Sequence, residues 1–249
     1  MQPIPSLALA AKAVWRRAAC LTTIAGMGTA AADYPAAVNA LHPAGYWRLN
    51  ETAATVSDPT CANSGSGAGL QGAYLNNPAK GVEGALVGDG ATAVAFASAS
   101  SQAMAIPYSA QLNPSGAFTA EIWAYPTVAD TNYRCICSSG AFGDNRSGWL
   151  IYQIGNSWEA RLYTGTGSTP DIIAGPATTG AWQHLALVYD GATTFTLYIN
   201  GVVANTLSKS NYLTGQSGYT AVGGRWLTES SAFYNSGSSA ESVGELRFW

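Results

Sequence analysis

The chain has 249 residues, of which 10% are charged and 47% hydrophobic, and its formal net charge is −3. With no basic run to neutralise phosphates, a nucleic-acid surface is excluded. Glycine (28) and aromatic residues (11%) are abundant and helix-favouring charges are scarce, which predicts many short strands and tight turns. A length near roughly 200–250 residues suits a single all-β domain.

At the amino end, Lys12, Arg16 and Arg17 precede a mildly apolar run from Ala18 to Ala30, and Ala30-Ala31-Ala32 follows just before Asp33. A positive segment, a short apolar run and small residues at −3 and −1 are what an export signal cleaved before Asp33 requires. The plain alternative is a disordered Ala-rich tail. The run falls short of the about 20 residues that span a bilayer, and no later segment is a candidate, so no membrane insertion is expected. Residues 1–32 thus read as a signal peptide or tail, and 33–249 as one domain of a secreted or cell-surface protein.

Ala36–Leu41 suggests a single helical turn, and Gly45–Glu51 the first strand. Ala117–Tyr125 alternates with period two, placing Phe118, Ala120, Ile122 and Ala124 on one face. Pro126 ends that ladder. Trp182–Tyr189 predicts a strand and Asp190-Gly191 a turn. Thr194–Ile199 predicts a second strand with Phe195, Leu197 and Ile199 inward. Asn200-Gly201 tolerates positive φ and predicts a two-residue hairpin into Val202–Leu207. Ser242–Trp249 reads as a strand inside which the chain stops, as in a fragment or truncated frame. An incomplete sheet edge there would accept a strand from a neighbour.

The cysteines are Cys20, Cys61, Cys135 and Cys137. Two residues apart on one strand, Cys135 and Cys137 sit about 6.6 Å apart, near the limit for a disulfide. The expected bridge therefore joins Cys61 to Cys135 or Cys137. With two histidines and no CxxC pair, zinc is not expected.

Gly45-Tyr46-Trp47-Arg48-Leu49-Asn50-Glu51, Phe118–Pro126, Trp182–Gly201 and Val222-Gly223-Gly224-Arg225 resemble the strands of bacterial laminin-G-like domains of the concanavalin A-like lectin/glucanase superfamily. The resemblance spans about residues 34–249. It implies a jelly-roll β-sandwich of two antiparallel sheets, in exported proteins that bind glycans or proteins, sometimes through a rim calcium ion. Phe96-Ala97-Ser98 lacks the acid that many members carry for that ion.

Glycosidases need two carboxylates about 5–5.5 or 6.5–9.5 Å apart. No E-x-D-x-x-E run occurs, and Glu121 stands alone on its strand. Neither His42 nor His184 accompanies a nucleophile motif, so no enzyme activity is expected. Weak calcium candidates are Asp130, Asn132, Asp144 and Asn145, which turn formation explains equally well. A sugar site needs flat rings beside planar polar groups. Asp144, Asn145, Arg146, Trp149 and Tyr152 cluster at one loop–strand junction, and Trp226 lies in a second polar stretch. The expected function is a non-catalytic recognition or adhesion module for a glycan or surface protein. The alternatives are a surface-layer or filament subunit self-assembling through sheet edges, and a glycoside hydrolase or lyase.

Overall fold

The computed structural model describes residues 33–52, 59–87, 90–167, 170–208, 211–227, 232–234 and 240–249. The expected signal peptide or tail lies outside them, as do the side chains of Trp226 and Tyr234.

A one-turn helix, α1 (Tyr34–Asn39), opens the domain with Pro35 at its start, where a missing N–H costs nothing. The strands follow in chain order. They are β1 (Gly45–Trp47), β2 (Thr60–Cys61), β3 (Gly72–Leu75), β4 (Ala79–Glu83), β5 (Thr92–Ala97), β6 (Ala103–Pro107), β7 (Phe118–Tyr125), β8 (Arg134–Ala141) and β9 (Ser147–Ile154). Then come β10 (Ser157–Thr164), β11 (Pro170–Pro176), β12 (Gln183–Tyr189), β13 (Phe195–Ile199), β14 (Val202–Leu207), β15 (Tyr219–Val222), β16 (Arg225–Leu227), β17 (Ala232–Tyr234) and β18 (Ala240–Phe248). The first sheet runs β14-β13-β12-β7-β18-β5-β4, with β1 also paired to β18, and the second runs β11-β10-β9-β8-β15-β6-β3-β2. Every pairing is antiparallel, giving the two-sheet sandwich expected from the sequence.

Alternation carries the core. Phe118, Ala120, Ile122 and Ala124 of β7, Leu185 and Leu187 of β12, and Phe195, Leu197 and Ile199 of β13 all point inward. They meet Trp149, Ile151, Trp158, Ala160 and Leu162 from the second sheet. Phe118 and Phe248 stack with centroids 5.5 Å apart, and Trp149 stacks on Phe248 at 5.9 Å. The predicted hairpin forms, with Asn200 at φ 51° and Gly201 at φ 75°. At the other turn, the Asp190 carboxylate accepts from the backbone N–H groups of Ala192, Thr193 and Thr194.

Two expectations are corrected. The last strand is not an incomplete edge. It lies inside the first sheet, paired to β7 on one side and to β5 and β1 on the other, and Trp249 exchanges both backbone bonds with Thr119. Nor does a disulfide join Cys61 to Cys135 or Cys137. Cys61 is on β2 at the rim of the second sheet, and β3, β6 and β15 separate it from β8. Four strand spacings of about 4.8 Å put it roughly 19 Å away, far beyond reach. A bulge between Cys135 and Cys137 also breaks their shared facing. Cys137 enters the inter-sheet core, while Cys135 packs on the outer face with Leu150 and Tyr152. Burial pushes the Cys135 thiol up to about 12.

Candidate functional site

Side chains of the opposite parity on the second sheet build an outer face of a different kind. Inward Trp149 and Ile151 alternate with outward Leu150 and Tyr152 on β9, and inward Trp158, Ala160 and Leu162 with outward Glu159, Arg161 and Tyr163 on β10. Registry sets Glu159 opposite Tyr152 and Arg161 opposite Leu150.

Arg161 is the centre of this face. Its guanidinium lies 5.1 Å from the Tyr133 ring and 5.0 Å from the Tyr152 ring, and its Nε donates to Glu159 at 3.0 Å. Burial opposes its charge, but Glu159 and Tyr163 more than offset this and hold the guanidinium above its ordinary pKa. Arg225 at the start of β16 lies over Phe142 and Tyr152, 5.8 and 5.9 Å from the ring centres, and Arg146 lies 5.9 Å from Tyr163. Three guanidinium groups thus stand over tyrosine and phenylalanine rings, with Glu159 the one carboxylate among the described residues of the sheet face. Tyr133 is 40% exposed and opens this group to solvent.

Glycines place the loop that carries Arg146. Gly140 (φ 140°) and Gly148 (φ 98°) face each other across β8 and β9. A Cβ on Gly148 would come within 2.0 Å of the Ser139 carbonyl oxygen, and one on Gly140 within 2.2 Å of that of Ser147. Only glycine lets the strands approach so closely. Arg146 is then held by Nε donation to Gly143, by its own N–H to Gly167, and by its carbonyl, which accepts from Gly165.

The structure divides the residues expected to bind sugar. Arg146 and Tyr152 reach the outer face, and the backbone of Trp226 lies beside Arg225 on β16, paired with Phe233. Asp144 and Asn145 are exposed on the adjoining loop, where Asn145 accepts from the Gly167 N–H. Trp149 is a correction: its parity turns it into the core, where its Nε1 donates to Leu112. Arg161, Arg225, Glu159 and Tyr133 were missed. Glu159, Arg161 and Tyr163 share one parity on Ser157–Thr164, and that alternation was the available signal.

Of the calcium candidates, Asp130 and Asn132 are engaged with each other and with Arg134. Both Asp130 oxygens accept from Arg134, at 2.5 and 2.6 Å, and from Asn132, which keeps its carboxyl below the usual range. Among the described residues, no three His, Cys, Asp or Glu side chains form a group that could hold a metal ion.

The outer face of the first sheet holds a second polar cluster. The Arg247 Nη2 donates to the Glu121 Oε2 at 3.0 Å and to the His184 Nε2 at 2.8 Å. Burial and the Arg247 charge keep His184 neutral, so its Nε2 accepts. Burial opposes the charge of Glu121, but Arg247 prevails and lowers its pKa. Glu245 accepts from the Tyr46 hydroxyl and from the Arg48 Nε at 3.2 Å, and burial raises its pKa. Glu121 therefore does not stand alone, since both acids flank Arg247. Each is buried and spends its oxygens on neighbours in the protein.

A bulge creates this cluster. Gly244 pairs with Trp123 and Arg247 with Glu121, so β18 inserts one extra residue against β7. Glu245 takes φ 57° at that point. The phase shifts, leaving Val243, Leu246 and Phe248 in the core and Glu245 and Arg247 outside it.

A family model described as the concanavalin A-like lectin/glucanases superfamily matches residues 98–239, more than half of the chain. No curated protein matches it in sequence. Among solved structures it is similar to the binding domain of botulinum neurotoxin serotype C1 (TM-score 0.59, 11% identity, 84% of this chain and 48% of that one). It is also similar to the binding domain of botulinum neurotoxin DC, solved with rat synaptotagmin II (0.61, 11%, 85% and 48%). A third is the binding domain of Paraclostridial Mosquitocidal Protein 1 (0.60, 13%, 82% and 48%). The chain spans about half the length of each. At these identities the likeness establishes the fold alone.

Proposed function

Because the chain belongs to the concanavalin A-like lectin/glucanase superfamily, we propose that it is an exported, non-catalytic recognition module that binds a glycan or surface protein. The outer face of the second sheet is its binding surface. The observation that carries this reading is the group of Arg161, Tyr133 and Tyr152, which fixes a guanidinium, its side chain 13% exposed, beside the solvent-reaching ring of Tyr133. Rigid scaffolds that present such groups suit recognition without bond-making. The similar toxin domains include one solved with SialylT and one described as interacting with two ganglioside molecules, which is in keeping with a saccharide partner. Export is supported by the Lys12–Ala32 segment.

Glu121 and Glu245 favour the non-catalytic reading, because Arg247 engages the Glu121 Oε2 and Tyr46 and Arg48 engage both Glu245 oxygens. The test applies the full chain to a glycan array and to surface-protein extracts, with a reducing-end assay on every glycan that binds. Saturable binding without cleavage is expected. Cleavage ends the non-catalytic reading, and absence of binding to either ends the recognition reading.

Self-assembly is a second reading. The edge strand β14 exposes Val202 (68%) and Val203 (50%), an apolar pair that a second copy could cover. A concentration-dependent rise in mass on size exclusion, abolished by Val203→Lys, would support it.

A further inference from the structure

Resting on that reading, we infer that the partner is an anionic saccharide, whose carboxylate or sulfate is received by Arg161 and Arg146 while a sugar ring packs on Tyr133.

The argument begins with charge. The whole chain is net negative, yet among the described residues the outer face of the second sheet gathers Arg146, Arg161 and Arg225 around one acid, Glu159, with Asp144 on the exposed loop beside it. An excess of guanidinium in an otherwise acidic chain selects an oxyanion by charge complementarity. Geometry adds to this. Arg161 is clamped between two rings and steered by Glu159, so it loses little rotamer freedom when a ligand arrives. A guanidinium carries five N–H donors, which Glu159 and Tyr163 together do not exhaust. Glu159 takes the Nε and one Nη2 donor, which leaves the Nη1–Nη2 end of the planar fork for a carboxylate or one edge of a sulfate.

The surroundings favour a sugar over a bare ion. Tyr133 is exposed beside the guanidinium, and Ile172, opposite Arg161 on β11, is 44% exposed. A flat ring with an apolar neighbour suits the C–H face of a pyranose. A neutral glycan would gain from the arginines only hydrogen bonds to its hydroxyls, weaker than those to an oxyanion, and a free anion would gain nothing from the ring.

The test titrates the full chain with polygalacturonate oligosaccharides, sulfated dextran, neutral dextran and inorganic sulfate at two salt concentrations. Binding of one anionic polymer is expected. Its affinity should fall by about tenfold on raising salt from low to moderate concentration. The two polymers separate carboxylate from sulfate as the recognised group. Arg161→Gln is expected to weaken that binding by roughly tenfold to a hundredfold, and Tyr133→Ala by less. Arg146→Gln and Tyr133→Ala carry the test if Arg161→Gln does not fold. Three results overturn the inference: neutral dextran binding equally well, inorganic sulfate competing as strongly as the polymer per anion, or binding undiminished in both Arg161→Gln and Arg146→Gln. If the array shows a neutral glycan or a protein partner while both anionic polymers fail, the inference falls and the recognition reading stands.

Discussion

Arg247 shows how one residue can be costly and necessary at once. Its guanidinium is buried, and Glu121 is the carboxylate that neutralises it there. Removing one partner of such a pair strands the other charge, so Arg247→Met should cost about 3–5 kcal/mol in urea unfolding. Adding Glu121→Gln should recover part of that loss, because the double variant leaves no orphan charge. His184 sets a pH dependence of known sign. Its folded pKa is depressed, so the unfolded chain takes up the proton first as pH falls. Stability should therefore drop as pH falls below the ordinary imidazole value of about 6.5. Melting temperatures between pH 7.5 and 5.5 should fall less steeply in His184→Gln. The raised pKa of Glu245 works in the opposite direction, and the comparison with the variant separates the two.

Among the elements, β13 and its turn were legible because their rules are local. Phe195, Leu197 and Ile199 obey period two, and Asn200-Gly201 needs no distant partner to define it. The binding face was only partly legible. Arg146 and Tyr152 lie near each other in sequence, but Arg225 reaches them only through the pairing of β15 with β8. The bulge at Ile136 could not be foreseen from the spacing of Cys135 and Cys137, and it removed their shared facing. The same holds for Glu121 and Glu245, which meet only because β18 settles beside β7. At this scale the Gly140–Gly148 pair is testable. Gly148→Ala should cost about 1–3 kcal/mol, through positive φ and the collision with Ser139, and should also weaken ligand binding by displacing Arg146. Thermal unfolding and a ligand titration on the same sample check both.

For the whole molecule, stability rests on aromatic contacts between the sheets and not on cross-links. Cys61, Cys135 and Cys137 are buried and form no disulfide. Dithiothreitol should therefore leave the melting temperature unchanged, and these thiols should resist alkylation until the protein unfolds. Phe248→Ala, which removes a ring stacked on both Phe118 and Trp149, should cost about 3–5 kcal/mol.

The interior position of β18 has a consequence for biosynthesis. One half of the first sheet, β12 to β14 with β7, and the other, β4 with β5, share no ladder until residues 240–248 arrive to join them. Translation must pass Phe248 before that sheet can close, so a nascent chain shorter than this exposes two unzipped margins to the cytosol. Such late, long-range zippering is slow. If the chain is exported as proposed, the delay keeps it threadable until translocation is under way.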